Sequence, residues 1–177
     1  WPLVEAGAEA IVVTASGCAP MVKDYGNALA EDPDYAGKAA RISELARDIS
    51  EVIAAEPLTD SLAQNAGGQA VAFHSPCTLQ HGQRITGVVE RQLQAAGYVL
   101  QPVTDSHLCC GSAGTYSMLQ PELSTRLRNN KLAALQAGEP TTIATANIGC
   151  LMHMSGHAEV PVRHWIELIE PLLPEAN

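Results

Sequence analysis

Cys77, the adjacent pair Cys109 and Cys110 within Cys-Cys-Gly-Ser-Ala-Gly, and Cys150 three residues ahead of His153 are the side chains whose types and spacing could do chemistry. Thirty-one residues separate Cys77 from the pair and thirty-nine separate the pair from Cys150, so no single turn groups them. Deprotonated sulfurs gathered from three distant segments suit a soft metal or an iron–sulfur cluster, whose ligands must be thiolates held at fixed distances. A free cysteine is also a small hydrophobe at home in a core. Here each of the three segments sets its cysteine beside proline, glycine or a second cysteine, in stretches that read as loops rather than apolar faces.

The residues around the sulfurs support an anionic site. In Gly111-Ser112-Ala113-Gly114, glycines permit positive φ and close backbone approach. Consecutive amides there can hydrogen-bond to sulfur, so Gly111, Ser112 and Gly114 are candidate cofactor-binding positions; the plainer role is a tight turn into a helix. Cys150 and His153 form a Cys-x-x-His pair able to present both ligands to one metal. Three cysteines and one histidine satisfy tetrahedral zinc as readily as an iron cluster, and His153 could equally be a solvated loop histidine. His74, His81 and His107 flank the thiols and could tune a potential or carry protons, although a surface or packing role is commoner for each.

The whole chain must build the scaffold for this. With 177 residues, 46% of them hydrophobic, it can bury one good core. A net charge of −9 without a lysine-arginine cluster argues against nucleic acid or an anionic bilayer as a direct partner. No apolar run long enough to cross a bilayer and no basic-then-apolar start is present, which predicts a soluble protein. Five cysteines, an odd number, fit a disulfide framework poorly and a reducing, cytoplasmic compartment better.

Strand and helix patterns alternate. Strands are expected at 10–14, 69–73, 98–103, 141–146 and 160–162, and helices at 36–55, 84–96, 121–137 and 164–172. Strands joined by helices imply an α/β fold with a mainly parallel sheet flanked by helices. Every cysteine then falls just past the carboxyl end of a strand, where open parallel sheets bind ligands. Ile11 to Cys18 also echoes Ile143 to Cys150 at a period of 132, each ending in Gly-Cys. The expectation is a pseudo-repeat: residues 1–60 the C-terminal part of a truncated first repeat, 61–68 a polar, turn-rich linker, and 69–177 a second, complete repeat.

Taken together, Cys77, Cys109-Cys110-Gly111 and Cys150 resemble the cysteine-rich CCG domain of the heterodisulfide reductases and their relatives. More narrowly, His74-Ser75-Pro76-Cys77, Leu108 to Ser117, Thr145 to Cys150 and His164-Trp165-Ile166-Glu167-Leu168 resemble the iron–sulfur subunit family of glycolate oxidase. The resemblance implies two CCG repeats behind a ferredoxin-like segment, a thiolate-bound cluster of 4Fe-4S type, and electron transfer from flavin-containing partner subunits toward a membrane acceptor. It also implies a cytoplasmic location with peripheral association at the inner face of the cell membrane. The chain departs from the family's Cys-x-x-Cys ending, with His153 in the last place and Met21 at the equivalent place in the first copy. Five-thiolate ligation therefore does not carry over whole. No Gly-x-Gly-x-x-Gly and no Ser-His-acid pattern is present, so hydride chemistry belongs to another chain. Two other classes stay open: a structural zinc scaffold holding partner subunits, and thiol-disulfide chemistry at Cys109-Cys110.

Overall fold

The structure, a computed structural model, describes residues 1–56 and 66–173. Four strands, β3 (Ala70–His74), β4 (Val99–Leu100), β5 (Thr142–Thr145) and β6 (Val162–His164), form one all-parallel sheet in the order β4-β3-β5-β6. The first part of the chain contributes a separate parallel pair, β1 (Ile11–Val13) with β2 (Ala46–Asp48). The expected α/β class with parallel sheets flanked by helices is what forms.

Side-chain alternation along β3 and β5 divides the core into two. Val71 and Phe73 of β3, with Ala144 of β5, face a cluster completed by Leu79, Val89, Leu93, Trp165 and Ile169. Ala72 and Ile143 face the opposite side, against Leu132, Leu135, Met154, Cys110 and Cys150. Period-two alternation with both faces apolar is the signature of a sheet covered by helices on each side. Helix α6 (Val88–Ala95) lies on the first face and α8 (Pro121–Gln136) on the second.

The chain runs from β3 outward to β4, then returns across β3 to β5. The strand order therefore reverses between β3 and β5, and in open parallel sheets ligands bind in the crevice beyond the carboxyl ends at that switch point. His74 pairs with Thr145 as the last rung there.

Several element bounds differ from the sequence expectation, each for a local reason. The helix expected over 36–55 is two helices, α4 (Ala36–Leu45) and α5 (Ile49–Ala55), interrupted by β2. Buried Asp48 stops the first run: its carboxylate accepts from the Ser50 backbone N–H at 2.9 Å while Glu51 accepts from the Asp48 N–H at 2.8 Å. That capping box restarts the helix. Helix α6 begins only at Val88 because Arg84 and Gly87 hold φ of 59° and 72°. Strand β4 stops at Leu100, one residue before Gln101-Pro102, where proline offers no N–H to a ladder. For the same reason the last strand starts after Pro161 and takes His164, which leaves a single helical turn, Ile166–Ile169, and a 3-10 turn, Glu170–Leu172, in place of a helix from 164. The linker expected at 61–68 falls largely on residues 57–65, which lie outside the described residues; 66–68 are a turn. Among the described residues, no helix is long and apolar enough to cross a membrane.

Candidate metal centre

Two loop segments and one helix deliver the cysteines to the switch point. Cys77 follows β3 by three residues and opens a π-helical turn, Thr78–Gly82. Cys109 and Cys110 end the connection from β4. Cys150 is not in a loop: it is the third residue of α9 (Ile148–Ser155), a short helix that its own Gly-Cys context did not suggest. Cys110 and Cys150 are buried, whereas Cys77 and Cys109 are partly exposed.

The sulfurs meet in a continuous chain. Cys77 lies beside Cys109, Cys109 beside Cys110, and Cys110 Sγ within 4.8 Å of Cys150 Sγ. Such ordering separates their acidities. Cys109, donating to Cys110 and partly buried, is pushed far above the ordinary thiol value, and burial followed by the Cys109 neighbour raises Cys77. Cys150 lies at the accepting end; Cys110, Asn147 and Ser112 all donate toward it and hold it below the ordinary thiol value despite burial.

One backbone and one side-chain N–H group donate to the sulfurs. Gly111 N–H donates to Cys109 Sγ at 3.3 Å, and Asn147 Nδ2 donates to Cys150 Sγ at 3.5 Å. Gly111 sits at φ 90°, and a Cβ there would come within 2.5 Å of the Ser124 carbonyl of α8. The turn therefore needs glycine both for its φ and for its close approach. Gly114 is at φ 58° with open space around it. Ser112 and Gly114, with Gly149, Met152 and His153, line a shallow opening at the edge of the site.

The histidines stand differently about the sulfurs. His153 Nε2 lies 3.2 Å from Ser124 Oγ, and the hydroxyl in turn donates to Gly111 O at 2.8 Å. His153 thus props the Cys-Cys-Gly turn, and burial lowers its pKa. The histidine grouped with the sulfurs is His74, whose ring nitrogen, with Cys110 and Cys150 Sγ, forms a trio within 4.8 Å of one another. Its signal was present in the sequence. In Ala-Val-Ala-Phe-His, strand alternation puts His74 on the same face as Ala72, and that face carries Cys110 and Cys150. Lys131 and Asn147 also lacked any local motif. Buried Lys131 of α8 clasps the carbonyls of Asp105 and Ser106 at 2.9 and 3.3 Å, which anchors the loop entering Cys109. Burial lowers the Lys131 pKa, while Cys110, Asp105 and Cys109 act the other way.

These donors fit a thiolate-held metal group. Four sulfurs adjoin, N–H groups point at two of them, and a buried imidazole beside them has no hydrogen-bond partner on either nitrogen among the described residues. When bound, a cluster at this site would supply one-electron redox capacity.

Comparison with known proteins agrees with this chemistry. The chain is 53% identical over 173 residues to the glycolate oxidase iron-sulfur subunit of Escherichia coli (strain K12), covering 98% of this chain and 42% of that protein. It is 30% identical over 148 residues to the probable glycolate oxidase iron-sulfur subunit of Bacillus subtilis (strain 168), covering 82% of this chain and 33% of the relative. Lactate utilization protein A of Geobacillus kaustophilus (strain HTA426) is 25% identical over 155 residues, 85% of this chain and 63% of that protein. The chain thus spans less than half the length of the first two relatives. Residues 71–155, from Val71 in β3 to the end of α9, match the model of the cysteine-rich CCG domain.

Proposed function

We propose that this chain is part of the iron–sulfur subunit of an oxidoreductase complex that oxidises glycolate, carrying electrons rather than binding the substrate. The observation that carries the reading is the gathering of Cys77, Cys109, Cys110 and Cys150 from three distant segments at the sheet's switch point, with Cys110 and Cys150 Sγ within 4.8 Å and N–H groups aimed at Cys109 and Cys150. The similarity to glycolate oxidase iron-sulfur subunits over nearly the whole chain favours glycolate over lactate as the 2-hydroxy acid, since identity to the lactate-utilisation relative is about half as high.

The finer parts of the proposal are a 4Fe-4S type of cluster held by Cys77, Cys109, Cys110 and Cys150, flavin-containing partner subunits as electron donors, and a membrane acceptor downstream. Gly111 and Ser112 serve that group by donating toward Cys109 and Cys150, and Gly114 by keeping the turn open. A cytoplasmic placement accords with five free cysteines. Residues 1–60 are read as the end of a first CCG repeat, on the strength of the parallel β1-β2 pair followed by Gly17-Cys18.

Zinc is the second reading, favoured by the compact trio of His74, Cys110 and Cys150. Thiol-disulfide chemistry is disfavoured because Cys109 is pushed toward the unreactive thiol. The test is anaerobic purification with metal analysis. Iron with acid-labile sulfide, and visible absorbance that bleaches when glycolate and the flavin subunits are added, is the expected result. Tight zinc without sulfide, or absorbance indifferent to glycolate, would sink the electron-transfer reading.

A further inference from the structure

We propose that His74 is a nitrogen ligand of the metal group held by the CCG cysteines, which makes the donor set mixed, imidazole together with thiolate. The inference rests on the metal-centre reading above and adds a nitrogen ligand to the cysteines named there.

Three observations converge on this side chain. His74 is 1% exposed, and neither ring nitrogen has a hydrogen-bond partner among the described residues. Burying an imidazole with both nitrogens unmatched forfeits its hydrogen bonds to water without replacement, so such a ring calls for a partner that the described polypeptide does not supply. One ring nitrogen lies within 4.8 Å of both Cys110 Sγ and Cys150 Sγ. Nitrogen and sulfur ligands of one tetrahedral metal stand roughly 3.5 Å apart given ordinary bond lengths, so small rotations bring the trio to coordination distance.

Position makes the assignment sharper. His74 is the last residue of β3 and pairs with Thr145, so a four-rung parallel ladder fixes where the ring begins. Beside it, Thr145 Oγ1 is likewise buried and without a hydrogen-bond partner among the described residues. A ligand mounted on a strand end is better pre-organised than one on a loop. Neither His153 nor His164 is grouped with the sulfurs among the described residues, and His164 Nε2 is likewise buried without a hydrogen-bond partner there. His153 is engaged by Ser124, and His164 Nδ1 accepts from the Ile166 N–H at 3.4 Å. On metal binding His74 coordinates as the neutral imidazole, and each participating thiol releases its proton to solvent.

The test uses the intact protein labelled with 15N-histidine, reconstituted anaerobically with iron and sulfide, and examined by pulsed electron paramagnetic resonance in its paramagnetic state. Strong coupling to one histidine nitrogen is expected in the unaltered protein and in His153→Ala, and is lost in His74→Ala. Because His74→Ala can fail to load a cluster at all, His74→Cys is the second variant. It is expected to keep the iron and sulfide content, lose the nitrogen coupling, and show a lower reduction potential, as thiolate in place of imidazole lowers potential. Nitrogen coupling that survives in His74→Cys, disappears in His153→Ala, or has only the weak magnitude of a hydrogen-bonded ring would overturn the assignment. Should the protein take up zinc and no sulfide, the electron-transfer reading fails but this inference is still tested. X-ray absorption of the zinc form must then show a nitrogen shell that vanishes in His74→Cys, and a shell unchanged by that substitution overturns it.

Discussion

Two turns of this protein end a strand with Gly-Cys, and they have different fates. Gly149-Cys150, after β5, starts a helix and buries its sulfur against Cys110. Gly17-Cys18, after β1, also leads into a helix, Ala19–Lys23, but its thiol is exposed. The two are in contact: Ser16 N–H donates to Ala146 O at 3.0 Å and Gly17 N–H to Asn147 Oδ1 at 3.1 Å. A Gly-Cys strand end therefore places a thiol just past the sheet, and what differs between the two is the presence of neighbouring sulfurs. Around Cys150 they come from Cys77 and the vicinal pair; no thiol shares a hydrogen bond with Cys18 among the described residues.

The largest expected effect breaks the two turns apart chemically. Cys150→Ser should cut iron and acid-labile sulfide per chain several-fold after anaerobic reconstitution, since a hydroxyl is a poor replacement for a soft thiolate. Cys18→Ser should leave the content of this site unchanged. Equal losses in both variants would mean that the exposed thiol takes part in the same centre.

Next in size is Gly111→Ala. It combines a φ of 90° with a Cβ only 2.5 Å from backbone, the Ser124 carbonyl. Strain plus overpacking of that kind should cost about 3 kcal/mol, roughly 6–12 °C in Tm for a chain of this size. In the exposed turn, Gly17→Ala meets a movable side chain instead, Asn147 Oδ1 at 2.8 Å, and should cost about 1 kcal/mol through the displaced hydrogen bond. Thermal melts in which Gly17→Ala was the worse of the two would reverse this ranking of the turns.

What could be seen of this architecture in the sequence, and what could not, follows the range of the forces involved. The strand cores at 70–73 and 142–145 and helix α8 with Pro121 at its start are local patterns and were legible. The break at Ala46–Asp48 was hidden because Ile42, Leu45, Ile49 and Val52 keep helical spacing across it. The Asp48-x-x-Glu51 capping box was the overlooked local cue. At the site, the cysteines were legible by type and the face of His74 by strand alternation, but that this face also carries Cys110 and Cys150 shows only once the chain is folded, whereas the Cys-x-x-His spacing that points to His153 is visible along the chain. Lys131 is the extreme case, since its role depends on carbonyls twenty-five and twenty-six residues away.

Asp48 links the two parts of the chain from the side of β2, and its removal comes third in size. Buried Asp48 accepts from Ser50 N–H and Ser50 Oγ with one oxygen and from Gln83 Nε2 at 2.9 Å with the other. Asp48→Ala loses the cap of α5 and the bridge to the turn after Cys77 together, at about 2 kcal/mol. Denaturant melts should show the midpoint falling with little change in slope. Asp48→Asn, which keeps an acceptor for the cap, should recover part of the loss.

The smallest effect is the most discriminating for the paired turns. Asn147 belongs to the second turn but serves both, its carbonyl oxygen accepting from Gly17 and its amide donating to Cys150 Sγ. Asn147→Ala removes both bonds and should cost about 1 kcal/mol of stability, 2–4 °C in Tm. Losing a donor to sulfur also removes stabilisation of the more negative state, so the reduction potential of the bound centre should fall. Asn147→Asp separates the two contributions. It keeps an acceptor for Gly17 N–H while placing a carboxylate against sulfur, so the melt should recover toward the unaltered protein while the potential falls further. A potential equal in all three proteins would mean that the contact between the turns is structural alone, and that the first turn has no influence on the centre held by the second.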